Sequence, residues 1–176
     1  KLFEAITGFV RELILSKEQI KFYHDHGYLL LDSYVPADLM ARLTAATQAA
    51  VDASRTLNKS NRRYDFEPDH TAQKPRLRRL VSPVDVDETF RHLMLDGLVA
   101  KIAMAILGQP ARFHHSKLNF KWSEGGEEVK WHQDIQFWPH TDFSPLTIGV
   151  YLADVDDDMG PMGVIPGSHK GELFDL

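Results

Sequence analysis

The sequence predicts an α+β fold, with helices set against an antiparallel sheet or barrel. Three observations predict it. Up to Gly108 the apolar residues recur at helical spacing. From Pro110 onward they alternate. The alternating runs are separated by short turn clusters, "SEGGEE" and "DDDMGPMG". Helices first, then consecutive strands with short connections, is the pattern of that class.

The chain has 176 residues, 43% hydrophobic and 26% charged, a composition that supports one folded domain over 1–176 with its own core. A mainly helical layer is expected over 1–109 and the first strands of the sheet core over 110–176. No apolar run approaches the roughly 20 residues needed to cross a bilayer, so no membrane partner is expected. The opening "KLFEAITGFVRELIL" spaces Leu2, Ile6, Phe9 and Leu13 as a helix. It also carries Glu4 and Glu12, unlike a signal peptide, and the expected location is the cytoplasm. A first residue of Lys rather than Met is expected of a piece of a longer protein. Cysteine is absent, which excludes disulfides, thiolate metal sites and cysteine nucleophiles. The formal charge of -5 predicts no general affinity for nucleic acid.

The elements follow in order. In "SKEQIKFYHDHG", Ser16 and Gln19 form a capping-box pattern, and Gly27 suits the left-handed position that closes a helix. "YLLLDSYV" then reads as a short buried strand. Pro36 opens the next helix, whose apolar stripe is Leu39, Leu43, Ala46 and Ala50. "DETFRHLMLDGLVAKIAMAILG" reads as one long helix with Phe90, Met94, Leu98, Ile102 and Ile106 on one face, ended by Gly108. A polar loop with Pro68, Pro75 and Pro83 is expected between the last two helices. Beyond Pro110, "ARFHHSKLNFKW", "VKWHQDIQFW", "LTIGVYLADV" and the start of "VIPGSHKG" read as strands.

Charge is uneven along the chain. Residues 61–80 hold six basic groups (Arg62, Arg63, Lys74, Arg76, Arg78, Arg79) against three acids (Asp65, Glu67, Asp69). Two readings stand: a solvated loop, or a mouth that attracts an anionic substrate.

Residues two apart on a strand share a face, so His132 and Asp134 are expected to point the same way, with Gln133 and Ile135 opposite. On the preceding strand, Phe113, His115, Lys117, Asn119 and Lys121 share one face. His114, Ser116, Leu118, Phe120 and Trp122 share the other, more apolar face, suited to packing on the helices. The polar face is either the solvent side of an open sheet or the lining of a barrel filled by water, metal or an anionic ligand. His-x-Asp is weak alone: "HDH" at 24–26 falls at a helix end, where such spacing diverges. In a strand it is either a hydrogen-bonded pair or a ligand pair. With no thiolate, imidazole plus carboxylate suits Fe(II) in a triad of two histidines and one carboxylate, or zinc in a hydrolase.

"KWHQD", followed about 25 residues later by "GPMGVIPGSHKG", resembles the phytanoyl-CoA dioxygenase family of Fe(II)/2-oxoglutarate oxygenases. "LSKEQIKFYHDHGYLLLDSYVPADLMARL" resembles that family's helical opening, and "HSKLNFK" one of its strands. The resemblance covers nearly the whole chain, least of all 56–80. It implies helices packed on a double-stranded β-helix, a jelly-roll core incomplete in this chain. It also implies Fe(II) and 2-oxoglutarate, with molecular oxygen and a small organic substrate. By position it makes His132 and Asp134 iron ligands. Asn119, His115, Lys117 and Tyr151 become contacts of 2-oxoglutarate, and Trp138 a neighbour of the substrate. His115 departs from the glutamine that relatives carry there. The implied reaction hydroxylates an aliphatic C–H bond while 2-oxoglutarate is decarboxylated to succinate. Asp134 favours hydroxylation over halogenation, because the family's halogenases lack that carboxylate. The third iron ligand, a histidine, and an arginine for 2-oxoglutarate are expected on later strands, past Leu176; His169 is not expected to replace that ligand. The rival readings are a binding protein without turnover on the same scaffold, and a metal-dependent hydrolase or isomerase.

Overall fold

The computed structural model describes residues 14–124, 128–137 and 144–174. The expected helix through Leu2, Ile6, Phe9 and Leu13 lies outside the described residues. Helix α1 (Lys17–His26) begins with the capping box read from its sequence. The Ser16 hydroxyl accepts from the Gln19 N–H at 3.1 Å, and the Ser16 N–H donates to the Gln19 amide oxygen at 2.8 Å. Gly27 closes α1 with φ +82°. Helix α2 (Ala37–Ser54) follows Pro36 and buries Leu39, Leu43, Ala46 and Ala50, the stripe its spacing predicts.

The long third helix divides into α3 (Glu88–Leu95) and α4 (Leu98–Leu107). The break needs glycine. The Gly97 N–H donates to the His92 carbonyl at 2.7 Å, and a Cβ at Gly97 would lie 2.5 Å from that oxygen. The helical apolar period runs through the break, which is why spacing alone reads one helix. Phe90 and Leu93 are buried on α3, Ile102 and Ile106 on α4.

The stretch read as a polar loop holds a β-hairpin. Strands β1 (Tyr64–Phe66) and β2 (Leu77–Val81) pair antiparallel, and β2 pairs with β3 (Lys117–Asn119) in a three-stranded sheet of order β1-β2-β3. Leu77 and Leu80 are fully buried beneath α2, with Ala50 and Phe66. Charge density hides this strand in the sequence, but three of the cations in and beside it meet carboxylates. Arg78 meets Glu67 at 3.1 Å, and Lys74 meets Asp69 at 3.1 Å. Arg76 is buried, lies 3.4 Å from Asp69, covers the Trp122 ring at 5.5 Å, and donates to the Glu124 carbonyl. Arg76 is therefore held inside the hairpin, Arg78 is partly covered, and Lys74 stays at the surface.

Three other expected strands form no ladder among the described residues. The run 28–35 is irregular, with Leu29 and Leu31 packed on α4's cluster and Leu30 72% exposed, so it is not a buried strand. Residues 146–152 alternate without pairing: Leu146 and Ile148 pack beside Ile102 and Ile106, Val150 and Leu152 beside Phe90 and Leu43. The run from 129 holds a 3-10 turn, Asp134–Phe137, rather than a strand. Alternation reports which face is apolar. A strand additionally needs a neighbour to satisfy its backbone groups.

A fourth expected strand, the start of 164–171, forms no ladder among the described residues either; that run ends in a 3-10 turn, Ser168–Lys170, that docks on the C-terminus of α1. The Gly167 N–H, His169 Nε2 and Lys170 Nζ bond the carbonyls of His26, His24 and Asp25 at 2.8, 3.0 and 3.2 Å. Those carbonyls are the acceptors a helix end leaves open, and a cation there suits the helix dipole. His169 is occupied by this dock and is not at the His132–Asp134 pair.

No helix among the described residues is long and apolar enough to cross a membrane.

Candidate metal centre

The predicted alternation holds along 116–122: Ser116, Leu118, Phe120 and Trp122 turn inward, while Lys117, Asn119 and Lys121 are exposed. Leu118 packs on two core clusters, and Trp122 Nε1 donates to the Leu77 carbonyl at 2.8 Å. Residues 146–152 repeat the pattern, exposing Thr147, Gly149 and Tyr151. The odd-numbered side chains of both runs thus lie on the sides turned away from the core.

His132 and Asp134 meet there, although not as strand neighbours. The Gln136 N–H donates to the Gln133 carbonyl at 3.0 Å, curling the backbone so that Asp134 opens a turn beside His132. His132 Nδ1 bonds the Lys130 carbonyl at 2.7 Å, and its Nε2 lies 3.3 Å from Asp134 Oδ1. A carbonyl only accepts, so Nδ1 carries the proton, and the Nε2 lone pair of a neutral ring faces a carboxylate oxygen. A cation between two lone pairs so close, either a proton or a metal ion, would favour the arrangement. Ligands at about 2.0–2.2 Å from a metal, at right angles to each other, are about 3 Å apart, so the pair fits adjacent positions on a metal ion. The Thr147 hydroxyl donates to Asp134 Oδ2 at 2.6 Å, and Oδ1 is the oxygen that faces His132. Such outer contacts orient ligands. Among the described residues, no group of three His, Cys, Asp or Glu side chains could hold a metal.

His115 is close enough to both Lys117 and Asp134 to feel their charges. Burial pushes its imidazole below the ordinary value; the neighbouring His114 and Lys117 add to this and Asp134 opposes it. Its Nδ1 sits 2.7 Å from that of His114. Asn119 accepts from Arg79 Nε at 3.3 Å. The Tyr151 hydroxyl accepts from the Met162 N–H at 3.3 Å, and Gly163 lies so close to the Trp131 ring that a Cβ there would be 2.9 Å from it. Trp138 lies outside the described residues.

Sequence reasoning gave Thr147 and Gln133 no role, and read Arg79 only as one of the basic groups of 61–80. Thr147 was legible, because alternation of Leu146, Ile148 and Val150 into the core sends Thr147 to the opposite face. Gln133 carries no local signal: its amide donates to the Glu172 carbonyl at 3.0 Å and accepts from the Phe174 N–H at 2.9 Å. This bond pair, helped by Gln136 to the Phe174 carbonyl, holds 172–174 against the turn that carries Asp134.

Known proteins resemble this chain in sequence and fold. The family model described as Phytanoyl-CoA dioxygenase (PhyH) matches residues 23–176. A probable alpha-ketoglutarate-dependent hypophosphite dioxygenase of Stutzerimonas stutzeri is 32% identical over 158 residues, covering 90% of this chain and 55% of that protein. The ectoine dioxygenase of Sphingopyxis alaskensis is 31% identical over 171 residues, covering 90% and 51%. The L-proline trans-4-hydroxylase of Streptomyces griseoviridis is 36% identical over 96 residues, covering 52% and 36%. The crystal structure of EctD from S. alaskensis with bound Fe shares the fold, with TM-score 0.61 and 24% identity over 74% of this chain and 44% of that one. The chain spans about half the length of the curated relatives it matches.

Proposed function

The chain belongs to the phytanoyl-CoA dioxygenase family, and from that premise we propose that it forms part of an Fe(II)- and 2-oxoglutarate-dependent hydroxylase acting on a small, anionic organic substrate. The observation that carries this reading is the His132–Asp134 pair, 3.3 Å apart, with Nδ1 of His132 anchored on Lys130. Iron(II) with 2-oxoglutarate supplies oxygen activation, coupled to decarboxylation of 2-oxoglutarate to succinate and hydroxylation of an aliphatic C–H bond.

The residues of this chain hold that chemistry in place. His132 and Asp134 bind the metal; the Lys130 carbonyl and Thr147 hydroxyl fix their orientation. Lys117, Asn119 and His115 offer a cation and hydrogen-bonding groups to the 2-oxoglutarate carboxylates, and Tyr151 lines the same pocket. Trp138 contacts the substrate. The three-stranded sheet and the run 146–152 are parts of a double-stranded β-helix, and 1–176 is a single domain.

The test is anaerobic Fe(II) titration of the full chain, followed by oxygen-dependent succinate formation over a substrate panel that includes hypophosphite, ectoine and L-proline. Iron binding lost in both His132→Ala and Asp134→Ala, with unchanged circular dichroism, is expected. Full iron affinity in both variants would overturn the assignment. Iron binding without succinate formation on any substrate would favour a binding protein.

A further inference from the structure

We propose that Arg79 is a positioning residue: it fixes the Asn119 carboxamide with its oxygen turned toward β2, so that its NH2 faces the 2-oxoglutarate site. The inference rests on the reading in which Asn119 contacts 2-oxoglutarate.

The register makes the pairing. Arg79 stands directly opposite Asn119 in the β2–β3 ladder, and directly opposed residues share a face with Cβ atoms about 5 Å apart. Leu80 and Leu118, one step along, pair on the core face, so Arg79 and Asn119 lie on the side of Lys117. Arg79 Nε then lies 3.3 Å from Asn119 Oδ1.

Chemistry decides the orientation. Guanidinium has donors only, so the Asn119 atom that meets it must be the oxygen. The ambiguity that usually attends an amide is thereby removed. The opposite end, Nδ2, bonds nothing else among the described residues. A carboxylate only accepts, so the exposed end is the one 2-oxoglutarate can use. Without the guanidinium, the amide would turn freely and present oxygen to an anion part of the time.

Arg79 also differs from its neighbours. Lys74, Arg76 and Arg78 each meet a carboxylate. Among the described residues, Arg79 meets none. A purely electrostatic role is therefore the competing explanation, and three substitutions separate the two. Arg79→Lys keeps charge and donor. Arg79→Gln loses the charge, but its Nε2 sits as many bonds from Cα as the arginine Nε and still donates to Asn119. Arg79→Met loses both.

The measurement is calorimetric titration of 2-oxoglutarate into the anaerobic Fe(II)-loaded full chain, with thermal melting as control. Affinity about 10-fold weaker in Arg79→Met, the scale of one hydrogen bond to a charged group, is expected. Arg79→Lys and Arg79→Gln should stay within about 3-fold of the parent, well inside the range of a single hydrogen bond. Asn119→Ala should weaken binding similarly, and adding Arg79→Met to it should cost nothing more, because coupled residues are not additive. Arg79→Gln as weak as Arg79→Met would overturn positioning in favour of charge. Loss in Asn119→Ala but none in Arg79→Met would overturn the inference and leave the 2-oxoglutarate reading intact. Unchanged affinity in Asn119→Ala would overturn both.

Discussion

Every buried apolar side chain among the described residues lies between Leu15 and Ile106, whereas every described residue proposed to touch metal or 2-oxoglutarate lies beyond Pro110. The first region closes on itself. Helices α2 and α3 share Leu43, Phe90 and Leu93, and the hairpin slides Leu77 and Leu80 under α2. The second region contributes only half-buried side chains, the even-numbered ones of 116–122 and 146–152. Its geometry comes from polar links instead: Lys130 to His132, Thr147 to Asp134, Gln133 to 172–174, and the dock of 167–170 on α1. Stability is concentrated in one region and site geometry in the other, so substitutions should separate them.

The largest effect on stability is expected in the first region. Leu80→Ala removes a fully buried side chain and should cost about 2–5 kcal/mol in chemical denaturation. A cost as small as that of a half-buried site such as Leu152→Ala would break the comparison. The second region should answer in metal affinity. Thr147→Val keeps the size but removes the bond to Asp134 Oδ2, and iron affinity should fall about 10-fold with the melting temperature unchanged. A lowered melting temperature with full iron affinity would mean that Thr147 serves the fold instead.

Gly27→Ala probes the joint between the two regions. A left-handed backbone costs a non-glycine residue about 1–2 kcal/mol, and the new Cβ would meet His169 Nδ1 at 2.3 Å. Hydrogen exchange should rise at 167–170 and leave α2 protected. Uniform loss of protection would show that the dock belongs to the main folding unit.

The smallest effect is expected at Asp69. The hydrogen bond from Lys74 holds its carboxyl below the ordinary range, helped by the charges of Arg76 and Lys74 and opposed by burial. A lowered folded value means that the contribution is present above the unfolded carboxyl pKa and is lost as pH falls through the folded one. In Lys74→Ala, the Asp69 titration followed by NMR should move up toward the ordinary range with almost no change in melting temperature, because exposed ion pairs contribute little. A large fall in melting temperature would mean that the hairpin depends on this pair.

The ends of α1, the stripe of α2 and the faces of 116–122 were determined by the sequence by itself. Caps and periodicities are relations between residues a few positions apart: Ser16 with Gln19, Leu39 with Leu43, Ser116 with Leu118. The closeness of His132 and Asp134 was legible for the same reason, although their meeting depends on a turn rather than on the strand their spacing suggests. Tertiary structure alone decided the rest. The break at Gly97 follows from its approach to the His92 carbonyl, against an uninterrupted apolar period. The strand at 77–81 carries Leu77 and Leu80 into the core, while Glu67 and Asp69 meet Arg78, Arg76 and Lys74 in and beside it. Thr147 reaches Asp134, Arg79 reaches Asn119 and His169 reaches α1 across 13, 40 and 145 positions of chain. Hydrogen bonds at such separations leave no local period, because they exist only once burial of the helical core has brought distant segments to one surface.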